Sequence, residues 1–200
     1  DNPVIKSFAV VMDGSRRVPS DYSGRAGIAA FTAVGKTIIM RIACEQPINK
    51  TRYFLSTEAD VRACYRRLSR GRYASIMGEP AERSLLTPIW LATPDGTACG
   101  CLEDTRKAKR LVADNGSEII SAHLSAFAFR DASEGAALIR EACARAAQLN
   151  YPALFVAGAQ VDAQMLQAAL ADIRVVNAPA TIYAHGFSPG SVWNINSSEI

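Results

Sequence analysis

The chain has 200 residues, 49% hydrophobic and 20% charged, with a formal net charge of +3. That is enough chain to bury one large core, or a core with a substantial extension. The charge is too slight for a duplex-binding face, so nucleic acid is not an expected partner, and no run approaches the roughly 18 apolar residues that would span a bilayer.

The opening DNPVIKSFAVVMDGSRR has no basic-then-apolar leader pattern and no initiator Met. It reads as a trimmed chain or the later part of a longer one, expected in the cytoplasm. Residues 4–12 (VIKSFAVVM) read as a strand closed by the Asp13-Gly14 turn signal. Residues 18–35 are rich in small residues and read as a loop leading into a short helix, and 36–45 (KTIIMRIACE) as a strand between Gly35 and Pro47. Residues 57–71 predict a helix, with Thr57 as cap, Asp60 three residues on, Val61, Cys64, Tyr65 and Leu68 at helical spacing, and Gly71 as its stop. Its Arg62, Arg66, Arg67, Arg70 and Arg72 read as a solvated face, with phosphate or acid binding as the alternative.

Residues 88–104 predict a hairpin around Pro94-Asp95-Gly96. A charged stretch and the turn Asp114-Asn115-Gly116 lead into 117–129 (SEIISAHLSAFAF), extended and apolar. An amphipathic, Ala-rich helix is predicted over 131–150, a short buried strand over 153–159, and a second helix over 162–172. Residues 173–176 and 180–187 read as two strands with Pro179 marking an edge or a break, and 188–200 as a polar, turn-rich tail. This order predicts a mixed α/β (α+β) fold, one mixed sheet covered by helices. Where 117–129 enters the helix, several backbone N–H groups and the positive helix end converge, a place suited to a phosphate.

The five cysteines (Cys44, Cys64, Cys99, Cys101 and Cys143) make no C-x-x-C pair, so no metal site is expected. They read as reduced, partly buried thiols; a catalytic thiol would need His123 or His185 as its base.

Over roughly 85–187 the chain resembles the GNAT acyltransferase superfamily. The resemblance rests on the hairpin IWLATPDGTACGCLED, the central strand SAHLSAFAF, the helix EGAALIREACARAAQLN, the strand LFVAG, the helix AQMLQAAL and the ending NAPATIYAHGF. It implies a GNAT-like mixed sheet flanked by helices over 85–200, with 1–84 as an N-terminal extension or partial subdomain packing on it. It also implies acyl transfer from acetyl-CoA to a small-molecule or protein amine, with a dimer or partner domain left open. The pantetheine arm would pair with Ala126, Phe127 and Ala128 between two splayed strands. The pyrophosphate would sit over Ala132–Ala136, near Arg130, Ser133, Glu134, Gly135 and Ala136.

The family loop is usually Q/R-x-x-G-x-G/A, and RDASEGAA (130–137) supplies Arg130 and Gly135 without the second glycine. The phrase VPSDYSGRAGIAA (18–30) is similar to the family's loop too, but no long helix is expected after it. By position Tyr183 corresponds to the family's general acid, although Pro179 places it on a strand. His123 on the central strand and Glu103 at the hairpin end are the candidate bases, Tyr183 and His123 being expected to matter more. As a plain strand end, Glu103 reads as solvated, like Asp104. The alternative to an enzyme is a non-catalytic GNAT-like domain of a larger protein, serving binding or interaction.

Overall fold

The computed structural model describes residues 7–22, 30–45, 54–72, 74–76, 80–108, 110–113, 115–187 and 192–200. The expected strand at residues 4–6, most of the 18–30 phrase, and Asp114 lie outside the described residues. In chain order the elements are β1 (Ser7–Met12), β2 (Thr32–Ala43), α1 (Glu58–Ser69), β3 (Ala74–Ile76), α2 (Pro80–Arg83), β4 (Ile89–Ala92) and β5 (Ala98–Glu103). There follow β6 (Ala122–Phe129), α3 (Ala132–Gln148), β7 (Ala153–Ala159), α4 (Gln160–Ala169), β8 (Val175–His185) and β9 (Trp193–Ile195).

Seven strands form one mixed sheet in the order β1-β8-β2-β7-β6-β5-β4, and β3 pairs with β9 in a second, parallel ribbon. The predicted hairpin, central strand and following strand are thus neighbours, and β6 and β7 run parallel with α3 as their connection. Of the N-terminal 84 residues, β1 and β2 enter this same sheet, β2 lying between β7 and β8.

The core forms on both faces. On one, Leu138, Ile139 and Ala142 of α3 and Leu166 of α4 pack on Met40, Leu102, Leu124, Phe129 and Leu154. The small residues of α3 let it lie close to the sheet. On the other, Val61, Cys64 and Tyr65 of α1 pack on Cys99, Ala126 and Ala128. The cap is as predicted, Thr57 Oγ1 accepting from the Asp60 N–H at 3.2 Å.

Three expectations change. The second strand starts at Thr32, not 36, with its irregularity between Ala33 and Gly35. The central strand starts only at Ala122; residues 117–121 form a small turn-back, with Val112 bridged to Glu118 and with Ile119 and Ile120 at the surface. The two closing strands are one, β8, running through Pro179. The Pro179 carbonyl accepts from Asp13 N–H at 2.9 Å, just beyond the last β1 pair at Met12 and Ala180. The missing proline N–H points to the same side at the very end of the β1 ladder, so it costs only the reciprocal bond to Asp13.

Gly135 has a packing reason. A Cβ there would fall 2.9 Å from both Phe129 Cγ and Leu166 Cδ2. Gly135→Ala should destabilise the fold by about 1–3 kcal/mol despite better helix propensity; urea denaturation checks this, and a stabilised variant would contradict the packing argument.

Candidate functional site

The parallel strands β6 and β7 pair only at Ala122 with Leu154 and His123 with Phe155, and then part. Where they part, Ala126 sits at φ +48°, uncommon for a residue with a side chain. The β5–β6 register shifts between Cys99 and Cys101, so Ala126 and Phe127 together face Gly100 alone. This bulge takes the Ala126 N–H and the Phe127 carbonyl out of the ladder and turns them to other partners.

Those partners come from the chain's own tail. Asn196 Oδ1 accepts from the Ala126 N–H at 2.9 Å, and Asn194 Nδ2 donates to the Phe127 carbonyl at 3.3 Å. Ser197 Oγ donates to the Phe155 carbonyl at 3.0 Å, on the β7 side. The segment from Trp193 to Ser198 is buried throughout. Trp193 meets Phe187 edge-on at 4.9 Å and packs with Ile182 and Ile195. Of the tail expected to be polar and turn-rich, residues 188–191 lie outside the described residues, and the rest is instead a docked segment, because Trp193 and Ile195 alternate with Asn194 and Asn196 at the two-residue period of a strand.

At the closed end of the gap, His123 is 2% exposed, stacked on Phe155 at 5.5 Å, with Nδ1 3.1 Å from Ser197 Oγ. With the Ser197 proton on the Phe155 carbonyl, His123 Nδ1–H is the donor between them. That tautomer makes Nε2 the basic nitrogen. Glu103 lies directly opposite His123 across β5 and β6. It is not a solvated strand end. It is fully buried and held by two bonds from Arg83, at 2.7 and 2.8 Å, while Arg83 also pairs with Glu199 of the tail.

Asp104 is buried too, contrary to expectation. Burial pushes its carboxyl upward, but the Tyr151 hydroxyl at 2.7 Å, the Leu85 N–H at 2.7 Å and Arg106 at 2.9 Å outweigh that and hold it below the usual range. A lowered folded value stabilises the protein above the ordinary carboxylate pKa, and that stabilisation is lost as pH falls through the folded value. Asp104→Asn should therefore flatten the loss of stability below about pH 4; denaturant midpoints against pH test this, and an unchanged acid limb would count against it.

At the α3 N-terminus the anion position is already filled. Asp131 Oδ1 accepts from the Glu134 N–H at 3.1 Å and from Ser133 Oγ at 2.6 Å. The Ser133 hydroxyl, then the Glu134 N–H, keep this carboxyl below its usual range. Arg130 is largely exposed, 3.9 Å from Asp131. Gly135 and Ala136 face the core; Ala128 packs under α1.

The structure thus brings His123, Glu103, Ala126 and Phe127 to one gap, and it sets Tyr183 apart. Tyr183 lies on β8 opposite Ala9 and Ala33, three strand spacings from β6, or roughly 14 Å. The arginine cluster is only partly a solvated face: Arg62 pairs with Glu58, Arg67 donates to the Gly96 carbonyl, and Arg72 donates to the Phe129 carbonyl and pairs with Asp162. Sequence reasoning missed Arg83, Asn194, Asn196 and Ser197; only the apolar–polar alternation of 193–196 hinted at them. Among the described residues no cluster of His, Cys, Asp or Glu could hold a metal, and no helix is long and apolar enough to cross a membrane.

No family model matches the sequence, and no curated protein matches it. Solved structures do resemble the fold. One is a GNAT-family protein from Novosphingobium aromaticivorans with a provisional acetyltransferase assignment: TM-score 0.51, 13% identity, covering 92% of this chain and 76% of that one. Another is Saccharomyces cerevisiae N-myristoyltransferase with bound myristoyl-CoA: TM-score 0.46, 12% identity, covering 80% of this chain and 52% of that one. The chain has a GNAT-like fold, as the first of these likenesses shows.

Proposed function

We propose that the chain is an N-acyltransferase that uses an acyl-CoA donor on an amine, resting with its donor gap closed by residues 193–199. One observation carries this reading: the bulge at Ala126 presents an N–H and a neighbouring carbonyl that, among the described residues, side-chain amides satisfy. A pantetheine arm carries amides of its own and can replace Asn194 and Asn196 group for group.

The magnitudes make the closing segment displaceable. Burying Trp193 and Ile195 contributes about 5 kcal/mol, and the segment's side-chain bonds and its pairing with β3 about 1 kcal/mol per bond. Ordering seven residues costs about 7–10 kcal/mol. Among the described residues the buried Trp193 indole N–H also lacks an acceptor, at about 1–3 kcal/mol. These terms nearly cancel, so a donor of micromolar affinity, about −8 kcal/mol, suffices to exchange with the segment.

In this reading His123, released from Ser197 when the segment leaves, takes the ammonium proton, acetyl-CoA is the first donor to try, and Glu103 holds Arg83 rather than substrate. Tyr183 has the longest reach to make. Titration with acetyl-CoA by calorimetry tests the proposal. Asn194→Ala/Asn196→Ala should bind about 10–30-fold more tightly than the parent chain, by the two bonds lost from the closed state. With binding established, His123→Ala should lower turnover on an amine panel by about 100-fold or more. Absence of binding by either chain would overturn the proposal. It would favour the second reading, a non-catalytic domain, which the Asp131 self-cap at α3 supports.

A further inference from the structure

Away from the gap, α1 and the β4–β5 turn enclose a cleft of about 690 Å³, lined among others by Leu55, Asp60, Cys64, Arg67, Thr93 and Gly96. The Cys64 thiol donates to the Gly96 carbonyl at 3.2 Å, and Arg67 Nη2 lies 3.7 Å from the same sulfur while donating to that carbonyl at 2.6 Å. Gly96 makes this possible twice over. Its φ is +67°, and a Cβ there would fall 2.5 Å from Arg67 Nη2.

Behind Cys64, Cys99 of β5 belongs to the same buried cluster, its thiol donating to the Ala126 carbonyl at 3.8 Å, and both are free thiols. Cys99 is fully buried; Cys64 lines the cleft. The pair is therefore asymmetric, one sulfur beside a cation at an opening and the other behind it. The Cys99 thiol beside it, with help from Arg67 against burial, lowers the Cys64 thiol to about 6, while Cys64 and burial push Cys99 up. A second pair, Cys44 and Cys143, is packed against the apolar core, where Cys44 first and then burial raise the Cys143 thiol.

We propose that Cys64 and Cys99 form a peroxide-oxidisable dithiol, Cys64 the nucleophile and Cys99 the resolving thiol, closing to a disulfide that ties α1 to β5. The Cys64 thiol gives up the proton it shares with the Gly96 carbonyl, the resulting thiolate attacks one oxygen of hydrogen peroxide, the O–O bond breaks, and the departing hydroxide takes up that proton to leave as water. Cys64 is now a sulfenic acid and no longer carries the charge that held the Cys99 proton in place. The Cys99 sulfur then attacks the Cys64 sulfur, the S–O bond breaks, and the hydroxyl leaves with the Cys99 proton as a second water. In sum, two thiols are oxidised to a disulfide and one peroxide is reduced to two waters. Arg67 holds the thiolate and faces the incoming peroxide from the cleft.

The test treats the whole native chain with equimolar hydrogen peroxide at pH 7, followed by alkylation and peptide mass spectrometry. The expected result is a loss of about 2 Da in a single cross-link between the peptides bearing Cys64 and Cys99, with the other three cysteines still alkylated. Cys99→Ser, nearly isosteric, should stop at a Cys64 sulfenic acid that dimedone traps. Arg67→Gln should slow alkylation of Cys64 at pH 6.5 by about 10-fold. Oxidation spread evenly over the five cysteines, a first cross-link between Cys44 and Cys143, or no dimedone adduct in Cys99→Ser would each overturn the proposal.

Discussion

Arg83→Met should lower the stability of the fold by about 3–5 kcal/mol, because it leaves the Glu103 carboxylate buried without its cation. Glu103 has no exposed side-chain surface, and both of its oxygens are held by Arg83. Methionine fills much of the same volume, so little of the loss comes from packing. Set against the 5–15 kcal/mol of an ordinary domain, the loss is a large fraction of the whole. The paired change Arg83→Met/Glu103→Gln removes the charge as well as its partner and should recover at least half of it. Urea midpoints for the parent, both single variants and the double variant close the cycle. A single-variant loss under about 1 kcal/mol would mean that Glu103 reaches water after all, and the buried pair would lose its place in the account.

That pair also shows why parts of this protein are legible in its sequence and parts are not. Elements carried by local chemistry were readable: Thr57 and Asp60 announce α1, Pro94-Asp95-Gly96 announces the hairpin, and Ala-rich periodicity announces α3. Their order along the chain was enough for the GNAT-like fold. What depends on long-range pairing was not readable. Arg83 and Glu103 are 20 residues apart, and Asn196 meets Ala126 across 70. No local signal distinguishes a strand-end glutamate in water from one locked beneath an arginine. Pro179 misled for the related reason that its effect depends on which neighbour ends beside it. Among the candidate site residues, His123, Ala126 and Phe127 stand at the gap because the central strand was placed correctly. Tyr183 was assigned by a pattern near the chain's end, and β2 and β7 come between its strand and β6.

Trp193→Ala should release the closing segment rather than unfold the protein. Removing a buried tryptophan commonly costs about 3–5 kcal/mol, and Trp193 is 3% exposed, against Phe187, Ile182 and the backbone at Gly35. The segment's burial, bonds and ordering entropy nearly cancel, however, so its docked state has little net stability to lose. Beyond that point undocking costs less than staying docked, and further loss is no longer felt by the sheet. The global urea midpoint should therefore fall by the equivalent of no more than about 2 kcal/mol. The Ala126 amide, held in the parent by Asn196 Oδ1, should exchange up to about 30-fold faster. Acetyl-CoA affinity should rise in the same variant, since the donor no longer competes with the tail. A full 3–5 kcal/mol global loss, with Ala126 exchanging only through complete unfolding, would show the segment to be an integral part of the core, and the gap would then be a permanently filled one.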